Sequence, residues 1–191
     1  MFKTLAGSVF SKTEMPEYSV VSSNEVYEER VYVESKWAVT RVTGKVYKES
    51  SSEGFTRLFK YIAGTNKEGK NVPMTSPVCI HITPADEWKT CVQNFGVGFF
   101  IPPGEHTENP PTPNEDSMIT IRSTPKTHVY VRQFTGFAGE PEIVEELKKL
   151  RDALGSDHPY VEEFYYFCGY DSPMKLINRR NEVWLLKKES K

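Results

Sequence analysis

One helical pattern in the chain is a set of apolar side chains at regular spacing in "SSSEGFTRLFKYIAGTN", residues 50–66. Phe55, Leu58, Phe59 and Ile62 follow the i, i+3, i+4, i+7 rule of an amphipathic helix. The serines that precede them are suited to cap a helix start, and Gly64 is suited to end it. The pattern therefore predicts an amphipathic helix of about three turns.

A second helical pattern begins at Glu140-Pro141 and is delimited more sharply than the first. Proline fits the first turn of a helix, acidic residues crowd the start, basic residues crowd the end, and Gly155 follows. One apolar stripe runs along it, formed by Ile143, Val144, Leu147, Leu150 and Leu154. We expect this helix to lay its stripe on a sheet.

Short runs of β-branched and aromatic residues predict strands on both sides of each helix. Residues 26–44 read as two strands broken at Glu34-Ser35, which we interpret as a hairpin. Further strands are predicted at 78–83, 91–101, 118–122, 128–137, 164–169 and 181–187. Between the strands predicted at 91–101 and 118–122, the proline-rich segment 102–117 is expected to run as an extended surface loop.

The order strand-strand-helix-strand-strand thus occurs twice, at a spacing of about 90 residues. We expect an α+β fold in which the duplicated unit forms one antiparallel sheet, because short links favour antiparallel neighbours. At 191 residues the chain is expected to form one domain over residues 1–191, with short flexible termini.

Composition narrows the possible partners. The net charge is −2 and the pI is near 6.1, so the chain has no general attraction for nucleic acid. No apolar run is long enough to cross a bilayer, and "MFKTLAGSVF" is too weak for a secretory signal. The three cysteines include no C-x-x-C pair, which fits a reducing compartment. We expect a cytoplasmic monomer.

No catalytic or metal-binding motif stands out. The common nucleophile, zinc-protease and nucleotide-binding patterns are missing from the sequence, so we predict no enzyme activity. Cys168 in "FYYFCGY" fits a small buried apolar residue better than a nucleophile. Cys79 and His81 share one strand face, but a structural metal site needs four ligands. No metal site is predicted.

Aromatic and basic residues together make the strongest binding pattern. Phe55 and Phe59 on the first helix alternate with Arg57 and Lys60, and "SPMKLINRR" adds Lys175, Arg179 and Arg180. Such cations could hold the carboxylates of a flat apolar ligand in a groove between helix and sheet. The other interpretation is that the aromatics are core residues and the cations pair with carboxylates or cover apolar surface with their stems.

Long blocks of this chain resemble the SOUL/haem-binding protein family. The resemblance is carried by "YEERVYVESKWAVTRV", "YIAGTNKEGKNVPMTSPV", "VYVRQFTGFA" and "FYYFCGYDSPMKLINRRNEVWLL", with the matching segments spread over residues 16–187. It implies a distorted antiparallel β-barrel or curved sheet with two main helices. It also implies that the protein binds haem and other tetrapyrroles without an enzymatic reaction.

The resemblance further implies a porphyrin groove between the first helix and the loop with the Pro-Met-Lys segment, where Lys175 would hold a propionate. Two family positions do not carry over. Val31 stands where an axial histidine has been proposed, and Ser52 stands near a proposed basic residue. We therefore expect haem to bind without a strong axial ligand from the protein.

Two other functions remain open at this point. The stretch "EELKKLRDALGSD" corresponds to a segment through which the family has been linked to cell death, so the chain could be an interaction module whose haem binding is incidental. An enzyme that uses a carboxylate such as Glu182 in the groove is the third possibility.

Overall fold

The computed structural model describes residues 13–172 and 174–188, so the termini that we expect to be flexible lie outside the described residues. Within these ranges the helices are α1 (Tyr47–Ile62), α2 (Glu105–Glu108) and α3 (Glu140–Leu154). None of them is long and apolar enough to cross a membrane. The strands are β1 (Tyr18–Ser23), β2 (Glu28–Tyr32), β3 (Ser35–Thr43), β4 (Val78–Ile82), β5 (Pro84–Ala85), β6 (Thr90–Cys91), β7 (Asn94–Phe100), β8 (Ile119–Thr124), β9 (Thr127–Phe134), β10 (Tyr165–Gly169) and β11 (Asn181–Leu186).

Nine of the strands form one antiparallel sheet in the order β1-β2-β9-β11-β10-β4-β7-β3-β8, and β5 pairs with β6 in a small separate ribbon. The predicted duplication is confirmed. The first half runs β2-β3-α1-β4-β7 and the second runs β8-β9-α3-β10-β11. Strands β4 and β10, one from each half, pair at the centre, with Cys79 opposite Cys168. The α+β prediction is therefore right.

The predicted hairpin at residues 26–44 is wrong. Strand β2 pairs with β9, and β3 pairs with β7 and β8, so the two strands do not touch along their length. Only residues 33 and 34 separate them, yet they lie near opposite ends of the strand order. A link that spans about 3.5 Å per residue can join them only if the sheet curls round until its ends approach. The sheet is thus a curled half-barrel.

The helices α1 and α3 both pack on one face of this sheet. Leu58 and Tyr61 of α1 cover Val97 and Phe99, and the stripe of α3 covers Tyr130 and its neighbours. The opposite face carries a third buried cluster, which includes Tyr32 and Trp184. No helix among the described residues covers that cluster, so the curl of the sheet itself shields it from water.

Helix α3 has the predicted bounds, but helix α1 starts about one turn earlier than predicted. Helix α1 begins at Tyr47, and the serines expected to cap it lie inside the helix. The hydroxyl of Ser50 donates to the carbonyl of Lys45 instead. Gly64 follows the helix end as predicted, with a φ of 99° that suits glycine.

The proline-rich segment 102–117 is not wholly extended. It includes the one-turn helix α2 and a turn of 3-10 helix at residues 115–117. The hydroxyl of Tyr61 donates to the carbonyl of Pro111 at 2.7 Å, so the segment is held against the C-terminal end of α1.

Candidate ligand-binding site

The aromatic pair on α1 lies where the sequence predicts. Phe55 packs edge-on against Phe99 of β7, with ring centroids 5.2 Å apart, and stacks with Phe59 at 5.9 Å. Phe59 is 50% exposed although it is a large apolar residue. Phe55 therefore packs on the core cluster beneath α1, whereas Phe59 presents half of its surface to solvent.

The two cations of α1 differ in their surroundings. The guanidinium of Arg57 pairs with Glu53 and also donates to the carbonyl of Arg41 at 3.0 Å. It is turned toward β3 and is already neutralised. Lys60 is exposed, one residue from Phe59. Of the two, Lys60 has the freer side chain for an anion.

The other three predicted cations lie together in the β10–β11 connection, residues 170–180. Lys175 Nζ contacts Asp171 Oδ1 at 2.7 Å, and the backbone N–H of Arg180 donates to Asp171 Oδ2 at 2.5 Å. Partial burial alone would raise the pKa of Asp171, but these hydrogen bonds outweigh it and hold that pKa below its ordinary value. Asp171 thus fastens the connection from both sides.

The side chain of Arg179 donates hydrogen bonds to backbone carbonyls of the same connection. Its Nη1 donates to the carbonyls of Ser172, at 2.8 Å, and Lys175, at 2.7 Å, and its guanidinium stacks over Phe137 at 4.8 Å. The Nε is buried without a hydrogen-bond partner among the described residues. Arg179 acts mainly as an internal brace in this conformation.

Arg180 belongs to a buried network centred on Glu182. The carboxylate of Glu182 is fully buried and accepts hydrogen bonds from Arg180, Arg30, Tyr170 and Trp184. Burial would lower the pKa of Arg180, but the adjacent Glu182 raises it overall. Both oxygens of Glu182 are occupied, so this carboxylate is not free to serve as a base in an open groove.

Three large apolar side chains project from the same connection. Met174, Leu176 and Ile177 are 88%, 72% and 75% exposed, and they flank Lys175. Holding three such residues in water is unfavourable, and exposed apolar patches commonly mark interaction sites. Nothing in the sequence pattern alone distinguishes them from core residues.

The strand register brings the start of this connection and Phe55 of α1 to the same end of three neighbouring central strands, β10, β4 and β7. Gly169, where the connection starts, is opposite Val78 of β4, and Val78 is opposite Phe99 of β7. Phe99 in turn contacts Phe55. One strand therefore separates the two sets of predicted residues, and no hydrogen bond or ring contact among the described residues joins them directly.

The cysteines and histidines form no metal centre within the described residues. Cys79 and Cys168 face each other with sulfurs 2.8 Å apart and are both free thiols. Burial raises the pKa of Cys168 well above its usual value, which makes the thiol unreactive. Val31, at the position of the family's proposed axial histidine, is buried on β2.

Sequence reasoning missed a cleft of about 550 Å³ on the other half of the molecule. It lies between α3 and the β4–β7 connection, residues 83–93, and Trp88 and Arg151 form part of its wall. Trp88 comes from a mainly polar stretch, and its pairing with a residue 63 positions later cannot be read from local patterns. The internal duplication was the available signal, because this connection corresponds to residues 170–180.

The fold and this cleft define a class: a duplicated α+β protein with a curled antiparallel sheet, two main helices on one face and a ligand-sized cleft beside α3. The chain belongs to the SOUL heme-binding protein family, which it matches over residues 13–186.

Curated relatives cover most of the same length. Heme-binding protein 1 of Xenopus laevis is 39% identical over 191 residues, which is 98% of this chain and 99% of the relative. Human heme-binding protein 2 is 36% identical over 163 residues, which is 85% of this chain and 78% of the relative. Among solved structures, the EcmrR C-terminal domain has a TM-score of 0.61 at 10% identity, covering 86% of this chain and 99% of that domain. At that identity the likeness concerns the fold alone.

Proposed function

We propose that this protein binds haem and related tetrapyrroles in a groove between α1 and the β10–β11 connection, as an intracellular carrier or buffer. Membership of a haem-binding family supports this function, as do the names of the two relatives. The observation that carries the location is the exposed apolar group Met174, Leu176 and Ile177 around Lys175. Together with Phe55 and Phe59 it offers apolar contact to a flat ring.

The energetics of this groove depend on apolar area and charge together. Removing about 400 Å² of apolar surface from water contributes on the order of 10 kcal/mol, against an association cost of roughly 4–15 kcal/mol. Cationic contacts to two propionates would add about 1–3 kcal/mol each where partly desolvated. The balance corresponds to dissociation constants from micromolar to nanomolar without a bond to iron.

Lys175 can exchange its present partner for a propionate at low cost. Its side chain is 44% exposed in the ion pair with Asp171, and pairs with such exposure contribute only about 0–1 kcal/mol. Arg180 cannot do so, because it is committed to the fully buried Glu182. Within the predicted set, Lys175 and Lys60 are therefore the cations that we expect to reach a ligand, while Arg57, Arg179 and Arg180 keep the framework in place.

A paired titration tests the proposal. We expect ferric haem and iron-free protoporphyrin to bind one-to-one with affinities within about tenfold of each other, since no axial bond contributes. Lys175→Glu should weaken both about tenfold. The matched control is Lys126→Glu, which makes the same charge change at an exposed residue just before β9. The β10–β11 connection lies at the opposite end of that strand, where Asn181 faces Phe134. Absorption and fluorescence titrations at limiting porphyrin measure each affinity.

Two results would contradict this proposal. Nonstoichiometric adsorption that salt and Lys175→Glu leave unchanged would favour incidental binding by an interaction module. Haem binding a hundredfold tighter than protoporphyrin would require an axial ligand and a different site.

The interaction module receives less support from the positions of its key residues. Leu147, Leu150 and Leu154 would have to enter a partner's groove, yet they are at most 2% exposed beneath α3. Presenting them to a partner would require α3 to leave its sheet, at the cost of most of one core cluster.

A further inference from the structure

The duplication relates the proposed haem groove to a second place on the molecule. The groove combines α1 from the first half with the connection 170–180 from the second half. Its counterpart combines α3 from the second half with the connection 83–93 from the first half. Both connections contain 11 residues, and each joins two paired strands, β10 to β11 and β4 to β7.

At this second place the structure has the cleft of about 550 Å³, hereafter the α3 cleft. This volume lies in the range of about 300–1,000 Å³ that is usual for small-molecule sites. Its apolar wall is formed by Val144 and Leu147 of α3, and by Trp88 and Tyr160. The ring centroid of Trp88 lies 6.1 Å from that of Tyr165 and 6.3 Å from that of Tyr160, so two aromatic neighbours hold the indole in position.

The backbone that presents Trp88 is strained. Asp86, Glu87 and Trp88 are three consecutive non-glycine residues with φ of 48°, 56° and 71°. Residues other than glycine, asparagine and aspartate rarely adopt this region, and such conformations concentrate at ligand sites.

Arg151 supplies a cation at the wall of the α3 cleft. Its guanidinium stacks over Trp88 at 4.2 Å, and its Nε contacts the Tyr160 hydroxyl oxygen at 3.0 Å. It forms no ion pair with any carboxylate of the described residues. The two acids on the rim already have partners: Asp152 pairs with Lys148 at 2.5 Å and Glu87 pairs with Lys89 at 3.2 Å.

We propose that the α3 cleft is a second ligand site, separate from the haem groove, that takes a flat aromatic carboxylate. The ring would lie along the apolar wall beside Trp88, and the carboxylate would accept hydrogen bonds from the Nη groups of Arg151. A planar guanidinium in a fixed position can form two parallel hydrogen bonds to a carboxylate. A neutral ring of the same size would lack that contact.

The test uses 1-pyrenebutyrate as the probe and 1-pyrenebutanol as its uncharged match. We expect one equivalent of pyrenebutyrate to bind with saturation, and Arg151→Met to weaken it about 10- to 100-fold, as loss of a charge-assisted hydrogen-bonded pair would. Arg151→Lys should restore part of the affinity. Pyrenebutanol should bind the wild type and Arg151→Met alike.

The Lys175→Glu variant separates this site from the haem groove. It should leave pyrenebutyrate binding unchanged, whereas Arg151→Met should leave haem binding unchanged. If Lys175→Glu abolished pyrenebutyrate binding, the probe would occupy the haem groove and the second site would be refuted. Equal binding by wild type and a folded Arg151→Met, or no saturation, would refute it as well.

A measurement on the wild-type chain covers the case in which Arg151→Met fails to fold. The indole N–H resonance of Trp88, assigned by Trp88→Phe, should shift progressively with pyrenebutyrate, while those of Trp37 and Trp184 should stay in place. A titration that leaves the Trp88 resonance unmoved would overturn the proposal.

Discussion

The two helices of the duplicated unit meet their sheet in different ways. Helix α1 approaches β7 through Gly54, where an added methyl carbon would lie 2.8 Å from Cβ of Val97. Helix α3 instead rests on a stripe of leucine and isoleucine side chains that are almost fully buried. The cleft beside α3 uses that stripe for part of its wall. One architecture thus provides a close helix and a separated helix, and with them two different surfaces.

The cations beside the two helices also differ in their partners. Beside α1, Arg57, Lys175 and Arg180 all pair with carboxylates, whereas beside α3 the guanidinium of Arg151 contacts a tyrosine and a tryptophan and pairs with no carboxylate in the described part of the chain. A ligand that pairs with Lys175 must displace Asp171, whereas a ligand that pairs with Arg151 has no carboxylate of the described residues to displace. The duplication therefore preserves the backbone and lets each site acquire its own electrostatics.

The largest effect that we expect concerns the stripe of α3. Leu150→Ala removes a side chain that is fully buried in the cluster shared with Tyr130 and Tyr165, so it should lower the free energy of unfolding by about 2–5 kcal/mol. Urea denaturation measures the change, and Lys148→Ala at an exposed position of the same helix is the control. A loss near zero would mean that α3 is not held by its stripe.

Gly54→Ala tests the close approach of α1. Its methyl group would meet the branched side chain of Val97, and overpacking of this kind costs about 1–3 kcal/mol, offset by up to about 1 kcal/mol of better helix propensity. We expect a net loss of about 1–2 kcal/mol by urea denaturation. Ser52→Ala, at an exposed position of α1, should be close to neutral. Stabilisation by Gly54→Ala would show that α1 is not packed tightly on β7.

The smallest effect concerns the acid dependence of α3. Burial would raise the pKa of Glu146, but hydrogen bonds from Lys149 and Arg132 outweigh it and lower that pKa below 4.5. A depressed folded-state pKa means that the stabilisation is present above about pH 4.5 and is lost as pH falls through the folded-state value. Because the group is partly exposed, we expect only about 0.5–1 kcal/mol.

Glu146→Gln checks this sign. Its stability should fall below that of the wild type at pH 7, and the two should converge as the pH falls through the folded-state pKa of Glu146, where the wild-type carboxyl becomes protonated. The counterpart on α1 is Glu53→Gln, for which we expect a smaller difference because Glu53 is solvated. A gap between wild type and Glu146→Gln that persisted at low pH would contradict the assignment.

The regular elements were largely predictable because their signals are local. The stripe and Gly155 defined α3, and Phe55, Leu58 and Ile62 defined most of α1. The serines before α1 misled the prediction of its start, since serine favours a cap but is also tolerated inside a helix when its hydroxyl bonds to a preceding carbonyl. The repeat indicated that the two halves share an order of elements.

Strand pairing and the state of each cation were not predictable in this way. A two-residue link between β2 and β3 normally means a hairpin, and only the curl of the whole sheet explains why these strands take different partners. Likewise, Lys175 meets Asp171 within one connection, but Arg30 meets Glu182 across 152 residues. Local composition shows that cations are present and says nothing of what neutralises them.

The sequence by itself determined the class of protein, the two helices, the duplication and the family, because each rests on spacing along the chain or on long ordered blocks of residues. Only the tertiary structure decided which strands are neighbours, which cations keep a free face and where a cleft opens. Those properties depend on groups far apart in sequence, such as Trp88 and Arg151, whose contact exists only when the sheet has curled and α3 has docked on it.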